Sequence, residues 1–156
     1  MTFQEKSLSR IAAFLLFAAS ASLHAQVAAP VITDAWVKPT VPGGSVSGGY
    51  MSIKSAKPLK LVKAESTAAG LVEIHSMSMK DNVMEMKAID AIDIPAGKTV
   101  ELKPGGLHVM LMKITRSINA GDSVPLVLTF EGADKKPLVV KVNATARDRA
   151  APAPAK

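Results

Sequence analysis

Cysteine is absent from this chain of 156 residues, and aromatic residues make up only 4% of it. Without cysteine there can be no thiolate nucleophile, disulfide, iron–sulfur cluster or thiolate-bound blue-copper centre. A metal ion would therefore have to be held by histidine, methionine or carboxylate. The shortage of aromatic rings argues against a pocket that binds bases or sugars by stacking.

Long runs of one charge are also missing, although 19 Lys and Arg against 13 Asp and Glu give a net charge of +6. The basic residues are scattered singly, which gives little support to nucleic-acid binding. The charge suits an acidic protein partner or an anionic membrane surface better. We therefore expect no nucleic-acid partner.

The N-terminus has the pattern of a secretory signal peptide. A basic segment that ends at Arg10 precedes a short apolar stretch, residues 11–19, and small residues follow it. The stretch is shorter than the roughly 20 residues that a membrane-spanning helix needs. We expect residues 1–25 to be a signal peptide cleaved after Ala25, with Ala21 as the alternative. The mature protein should then be periplasmic, without stable membrane insertion.

From Val31 onward, short β-branched and aliphatic runs alternate with turn signals, and no segment sustains a capped helical period. This pattern predicts an all-β sandwich or barrel. We expect one domain over residues 26–146 and a disordered Pro/Ala tail over residues 147–156. Pro125 predicts an edge strand, or the first residue of a strand. The predicted strands are Val31–Val37, Gly49–Lys54, Lys60–Glu65, Leu71–Met79, Val83–Ile89, Thr99–Leu102, Leu107–Thr115, Pro125–Phe130 and Leu138–Ala144.

Two histidines remain after the predicted cleavage, and each has a methionine two residues further on. Because side chains alternate faces along a strand, each histidine shares a face with that methionine. The stretch from His75 to Met86 predicts a hairpin that turns at residues 81–82. A two-residue loop would place Met77 opposite Met86 and His75 diagonal to Met86. An odd-length loop would put His75 and Met86 on opposite faces.

Imidazole and thioether donors without thiolate favour one kind of ion. Thioether sulfur is soft and neutral, so it prefers Cu(I), and a monovalent ion is also easier to hold without negative charge. The competing interpretation is that methionines fill a core that is poor in aromatic residues. For Met77, Met79, Met84 and Met112 we favour packing around the site, or a hydrophobic rim, over ligation.

His75, Met86, His108 and Met110 fit the pattern H-x10-M-x21-H-x-M. This spacing resembles the signature of the periplasmic copper chaperones called PCu(A)C. The flanking segments resemble that family as well, and the likeness covers residues 30–144. These segments are residues 72–77, 83–86, 94–97 and 104–112, with 35–37 and 48–51 nearer the start.

The resemblance implies a cupredoxin-like Greek-key β-barrel or sandwich that binds one Cu(I) per chain at an exposed site. The implied ligands are His75, Met86, His108 and Met110. It also implies delivery of copper to the Cu(A) centre in subunit II of cytochrome c oxidase, with a Sco-type thioredoxin-like protein as a further partner. Residues 147–156 contain neither His nor Met, so no additional copper site is expected in the tail.

Two other functions compete with a Cu(I) carrier. One is a periplasmic storage or resistance protein that binds Cu(II), although Cu(II) prefers nitrogen and oxygen ligands. The other is a structural β-module that binds no metal. We expect no enzyme activity, because the carboxylates show no paired spacing and the two histidines are already used by the motif.

Overall fold

The computed structural model of the protein describes residues 28–148, which form ten β-strands. The predicted signal peptide and residues 149–156 lie outside the described residues, so those assignments stay predictions. Within the described range, no helix is long and apolar enough to cross a membrane. The strands are β1 (Val31–Val37), β2 (Val46–Lys54), β3 (Leu59–Glu65), β4 (Ala69–Lys80), β5 (Val83–Ala88), β6 (Ile92–Ile94), β7 (Thr99–Leu102), β8 (His108–Ile114), β9 (Ser123–Glu131) and β10 (Pro137–Ala146).

The strands join into one hydrogen-bonded sheet around a single hydrophobic core. Their order is β5-β4-β8-β2-β1-β10-β9-β3-β6, and β7 pairs with β2 off this path. β1 and β10 run parallel, while the other described pairs are antiparallel. In β9 every second side chain from Val124 to Phe130 is fully buried, as expected for a strand with one face on the core. The prediction of an all-β fold is confirmed.

Two details of the strand prediction need correction. The sequence analysis missed β6, because an Ile-Asp-Ile run of three residues is too short to show a period. Pro125 is the third residue of β9, an interior strand between β10 and β3, so the edge-strand prediction is wrong. The pairing of β9 with β3 ends at Val127, so the missing N–H of Pro125 interrupts no bond on that side. Ser66 Oγ donates a hydrogen bond of 2.7 Å to the Pro125 carbonyl.

The predicted hairpin between β4 and β5 is confirmed, and of the two loop parities that the sequence left open the structure has the even one. Lys80 pairs with Val83 across a two-residue loop. Asp81 and Asn82 both have positive φ, at 50° and 61°, as a tight hairpin turn of the primed type requires. Asp and Asn tolerate this left-handed conformation better than other non-glycine residues. The loop therefore fixes which side chains of the two strands share a face.

The C-terminal end of the described chain packs on β1. Arg147 N donates to the Val37 carbonyl over 2.9 Å, and the Arg147 guanidinium donates to Asp34. The same guanidinium lies 5.5 Å from the centre of the Trp36 ring. Arg147, which the sequence analysis placed in the tail, thus contacts the strand that begins the domain.

Candidate metal centre

The two histidines of the motif are direct neighbours on adjacent strands. His75 of β4 and His108 of β8 are register partners, and their ring centres lie 5.6 Å apart in an edge-to-face arrangement. The adjoining residues Ile74 and Val109 are buried in the core. Because side chains alternate, both imidazoles lie on the opposite face of the sheet. The chain separation of these residues gives no hint of this contact, which the β4–β8 register creates.

The two methionines of the motif flank this histidine pair from opposite directions. Met86 is opposite Met77, which makes it a diagonal neighbour of His75 on the β5 side, as predicted. Met110 is opposite Glu73, which makes it a diagonal neighbour of His75 on the β8 side. In a regular sheet, this register separates Met86 and Met110 by roughly 10 Å across the strands and roughly 14 Å along them. His75 is therefore near both thioethers, while one ion that touches both requires the hairpin to bend toward β8.

Hydrogen bonds fix one nitrogen of each imidazole and leave the other for a ligand. His75 Nε2 lies 2.8 Å from Glu73 Oε2, and His108 Nδ1 lies 3.0 Å from the Gly106 carbonyl oxygen. Both oxygens accept, so these nitrogens carry the protons in the neutral rings. The lone pairs are then on His75 Nδ1 and His108 Nε2.

His75 Nδ1 is buried and has no hydrogen-bond partner. Buried polar atoms are nearly always paired, so an orphaned nitrogen in a protein interior calls for a specific explanation. A bound metal ion would supply that explanation. In a typical histidine ligand one ring nitrogen binds the metal, while the other donates a hydrogen bond that fixes the orientation of the ring. The donor set therefore fits a soft metal ion.

The four residues of the motif differ in burial, and Met110 is half-buried. His75 and His108 are 9% and 4% exposed, whereas Met86 is 46% exposed. The resemblance implied an exposed site, and this arrangement is exposed at Met86 but not at the imidazoles. The loop before β8 contributes to the burial of His108, because its Gly106 carbonyl accepts from His108 Nδ1.

Tyr50, which packs on Trp36, lies beside the His108 ring. The Tyr50 ring centre lies 6.2 Å from that of His108 and 4.4 Å from that of Trp36. Tyr50 leans over Gly48, where an added Cβ would lie only 2.3 Å from the Tyr50 hydroxyl oxygen. Gly48 is thus required for the close approach that lets Tyr50 lie along this face.

Glu73 is the residue of this centre that the sequence analysis missed. It lies two residues before His75, so strand alternation places both side chains on one face. That spacing was the available signal, but a lone carboxylate before a histidine is common and does not by itself predict a contact. The sequence analysis also favoured packing or a rim for Met79 and Met84. At 63% and 53% exposed, these two side chains are not packed in the core.

The fold of the described residues identifies the class of domain. The cupredoxin-like β-fold is that of PCuAC domains. The apo PCuAC domain of PmoF2 is 25% identical, with a TM-score of 0.62 over 80% of this chain and 94% of that domain. The Cu(I)-bound solution structure of DR1885 from Deinococcus radiodurans is 29% identical, with a TM-score of 0.53 over 80% of each chain.

The chain belongs to the LpqE-like family, whose description reads "Putative lipoprotein LpqE-like" and which matches residues 31–142. It is also similar to the protein Lxx21020 of Leifsonia xyli subsp. xyli. The two are 31% identical over 112 residues, which cover 71% of this chain and 68% of that protein.

Proposed function

We propose that this protein carries Cu(I) as cargo, one ion per chain, outside the cytoplasmic membrane. The observation that supports this most directly is the pair of touching imidazoles, one with a buried nitrogen that has no hydrogen-bond partner. Thioethers lie on both sides of this pair, at Met86 and Met110. Two structural neighbours with the same fold are named for a copper domain and for bound Cu(I).

The ligands His75, Met86, His108 and Met110 suit transfer better than permanent storage. All four are neutral, and thioethers hold Cu(I) less firmly than thiolates do. The exposed Met86 gives an acceptor's thiolate access to the ion before the imidazoles release it. A donor without cysteine also escapes disulfide formation in an oxidising compartment.

The proposed acceptor is the Cu(A) centre in subunit II of cytochrome c oxidase, and a Sco-type thioredoxin-like protein is a further proposed partner. Both follow from the resemblance of the motif to PCu(A)C chaperones. The signal-peptide pattern of residues 1–25 supports a periplasmic location. The description of the family as lipoproteins agrees with export.

A titration against a Cu(I)-specific chelator tests the proposal. The parent protein is expected to bind one tight equivalent of Cu(I), and Met86→Leu and Met110→Leu are each expected to hold it more weakly. Leucine removes the sulfur but nearly conserves the side-chain volume, so the fold should be preserved. Met112→Leu, two residues beyond Met110 on the same face of β8, is the matched control and should bind like the parent.

Three results of copper titrations would contradict the carrier. Equal Cu(I) affinity of the parent and both leucine variants would show that neither thioether is a ligand. Preference for Cu(II) in a competitive Cu(I)/Cu(II) titration would favour the storage or resistance function. Absence of binding to either ion would favour the structural β-module.

Glu73 is expected to position His75 in this site. Glu73→Ala removes the acceptor for His75 Nε2–H and should lower Cu(I) affinity by about 10–100-fold, as is usual for groups that orient a ligand. Glu73→Gln keeps an oxygen acceptor and should lose less. Competition titration gives the affinities, and the imidazole signals of His75 in NMR spectra report its orientation. Equal affinity in all three proteins, with an unchanged His75 ring, would show that Glu73 has no such role.

A further inference from the structure

Beyond His75, the β4–β5 hairpin carries two consecutive pairs of methionines. Met77 is the register partner of Met86, and Met79 is the register partner of Met84. The two methionines of each strand are two residues apart, so all four side chains project from one face of the hairpin. β5 is the last strand of the sheet, which leaves the outer side of the hairpin without a further described strand.

Three of these methionines are exposed, where packing in the core does not explain them, and Met77 is half-buried. Met79 is 63% exposed, Met84 53% and Met86 46%. An exposed strand position ordinarily favours β-branched or polar residues, and unbranched apolar side chains gain little there. The opposite face of the same hairpin is largely polar and carries an ion pair of 3.1 Å between Lys87 and Glu85. The residues of that face are Ser76, Ser78, Lys80, Val83, Glu85 and Lys87.

The spacing of the four thioethers suits a single soft ion. Side chains directly opposite each other have Cβ atoms about 4.5–5.5 Å apart, and neighbours along a strand are about 7 Å apart. Methionine has three rotatable bonds, so four sulfurs at the corners of such a rectangle can turn inward. Thioether sulfur selects Cu(I) and similar soft monovalent ions over hard ones.

We propose that Met77, Met79, Met84 and Met86 form a second metal site, made of thioethers alone, for Cu(I) or Ag(I). This site shares Met86 with the proposed carrier site, so when both sites are filled the second ion is held by Met77, Met79 and Met84. It lacks imidazole donors and is open to solvent, so it binds more weakly. The Met77–Met86 pair lies next to His75 along β4, so an ion held by the hairpin methionines can pass to the histidine pair through Met86.

Titration of the protein with Ag(I), and with Cu(I) under anaerobic conditions, tests the second site. The probe is NMR of protein labelled with ¹³C in the methionine methyl groups. The first equivalent should shift the imidazole signals together with the Met86 and Met110 methyls. A second equivalent should then shift the methyls of Met77, Met79 and Met84.

Substitution separates the two sites. Met79→Leu/Met84→Leu should lose the second equivalent and keep the first, while Met112→Leu should keep both. Methyl signals of Met79 and Met84 that stay unshifted beyond two equivalents would overturn the second site. Retention of both equivalents by the double leucine variant, or loss of both, would overturn it as well.

The proposed function and the second site can fail independently. In His75→Ala/His108→Ala, the methyl shifts of the hairpin should persist with one weak equivalent. If that variant binds no ion while the parent binds one, the hairpin site is refuted and the carrier site stands. If the hairpin methyls respond in both proteins and no imidazole signal of the parent moves, the carrier site is refuted and the hairpin site stands.

Discussion

Replacing His75 and His108 together by alanine is expected to remove the tight Cu(I) site of this protein. The rings are direct cross-strand neighbours, and they supply the only nitrogen donors among the proposed ligands. Loss of a group that merely orients a ligand costs about 10–100-fold in metal affinity, so loss of two ligands should cost more than about 100-fold. Competition with a Cu(I)-specific chelator measures this directly. Weak binding by the methionines of the hairpin is expected to remain.

Because both rings are buried, the alanine variant also needs a test of its fold. The thermal unfolding midpoint without copper should be compared with that of the parent. His75→Gln/His108→Asn offers a second route, since the glutamine amide nitrogen lies near the position of His75 Nε2 and the asparagine amide nitrogen near that of His108 Nδ1. Both can still donate, to Glu73 and to the Gly106 carbonyl. Tight Cu(I) binding retained by a folded double variant would refute imidazole ligation.

Replacing Phe130 by alanine should have the largest effect on stability. Phe130 is among the largest fully buried side chains, and it lies in β9. Truncation of a buried phenylalanine costs about 3–5 kcal/mol of the free energy of unfolding, through lost burial and the cavity that remains. Domains of this size have only about 5–15 kcal/mol in total. Denaturant unfolding monitored by circular dichroism gives the value.

Val139→Ala is the matched control for this prediction. Val139 lies on the neighbouring strand β10 and is 55% exposed, so its truncation should cost less than about 1 kcal/mol. The Phe130 variant should still bind one tight Cu(I) while folded, because Phe130 contributes no ligand. Similar losses of stability in both variants would contradict the assignment of Phe130 to the core.

The sequence predicted most of the fold and part of the candidate centre. Alternating apolar and polar residues, with turn residues between the runs, predicted the strands, because burial of one face of a strand produces an alternating sequence pattern. The Asp81-Asn82 turn predicted a hairpin, and the sequence left its loop length open; the structure has the two-residue loop, which fixes the β4–β5 register. The facing of Met77 and Met86 followed from that loop alone.

Other features depend on contacts between segments that are far apart in the chain, and local sequence patterns do not predict such contacts. The direct opposition of His75 and His108 arises from the register of β4 with β8, strands joined by a long connection. The position of Tyr50 beside the His108 ring depends on Tyr50 leaning across Gly48 of β2. The hydrogen bond of Glu73 and the exposure of Met79 likewise became visible only when the strands were assembled.

The burial of the two imidazoles beside an exposed Met86 has a consequence for how such a carrier would work. A protein that loads the ion and a protein that receives it would both have to approach the exposed Met86. The two partners would therefore bind one at a time, and copper would be transferred through two successive complexes instead of a three-protein assembly. A high concentration of the supplier should then slow hand-off to the recipient.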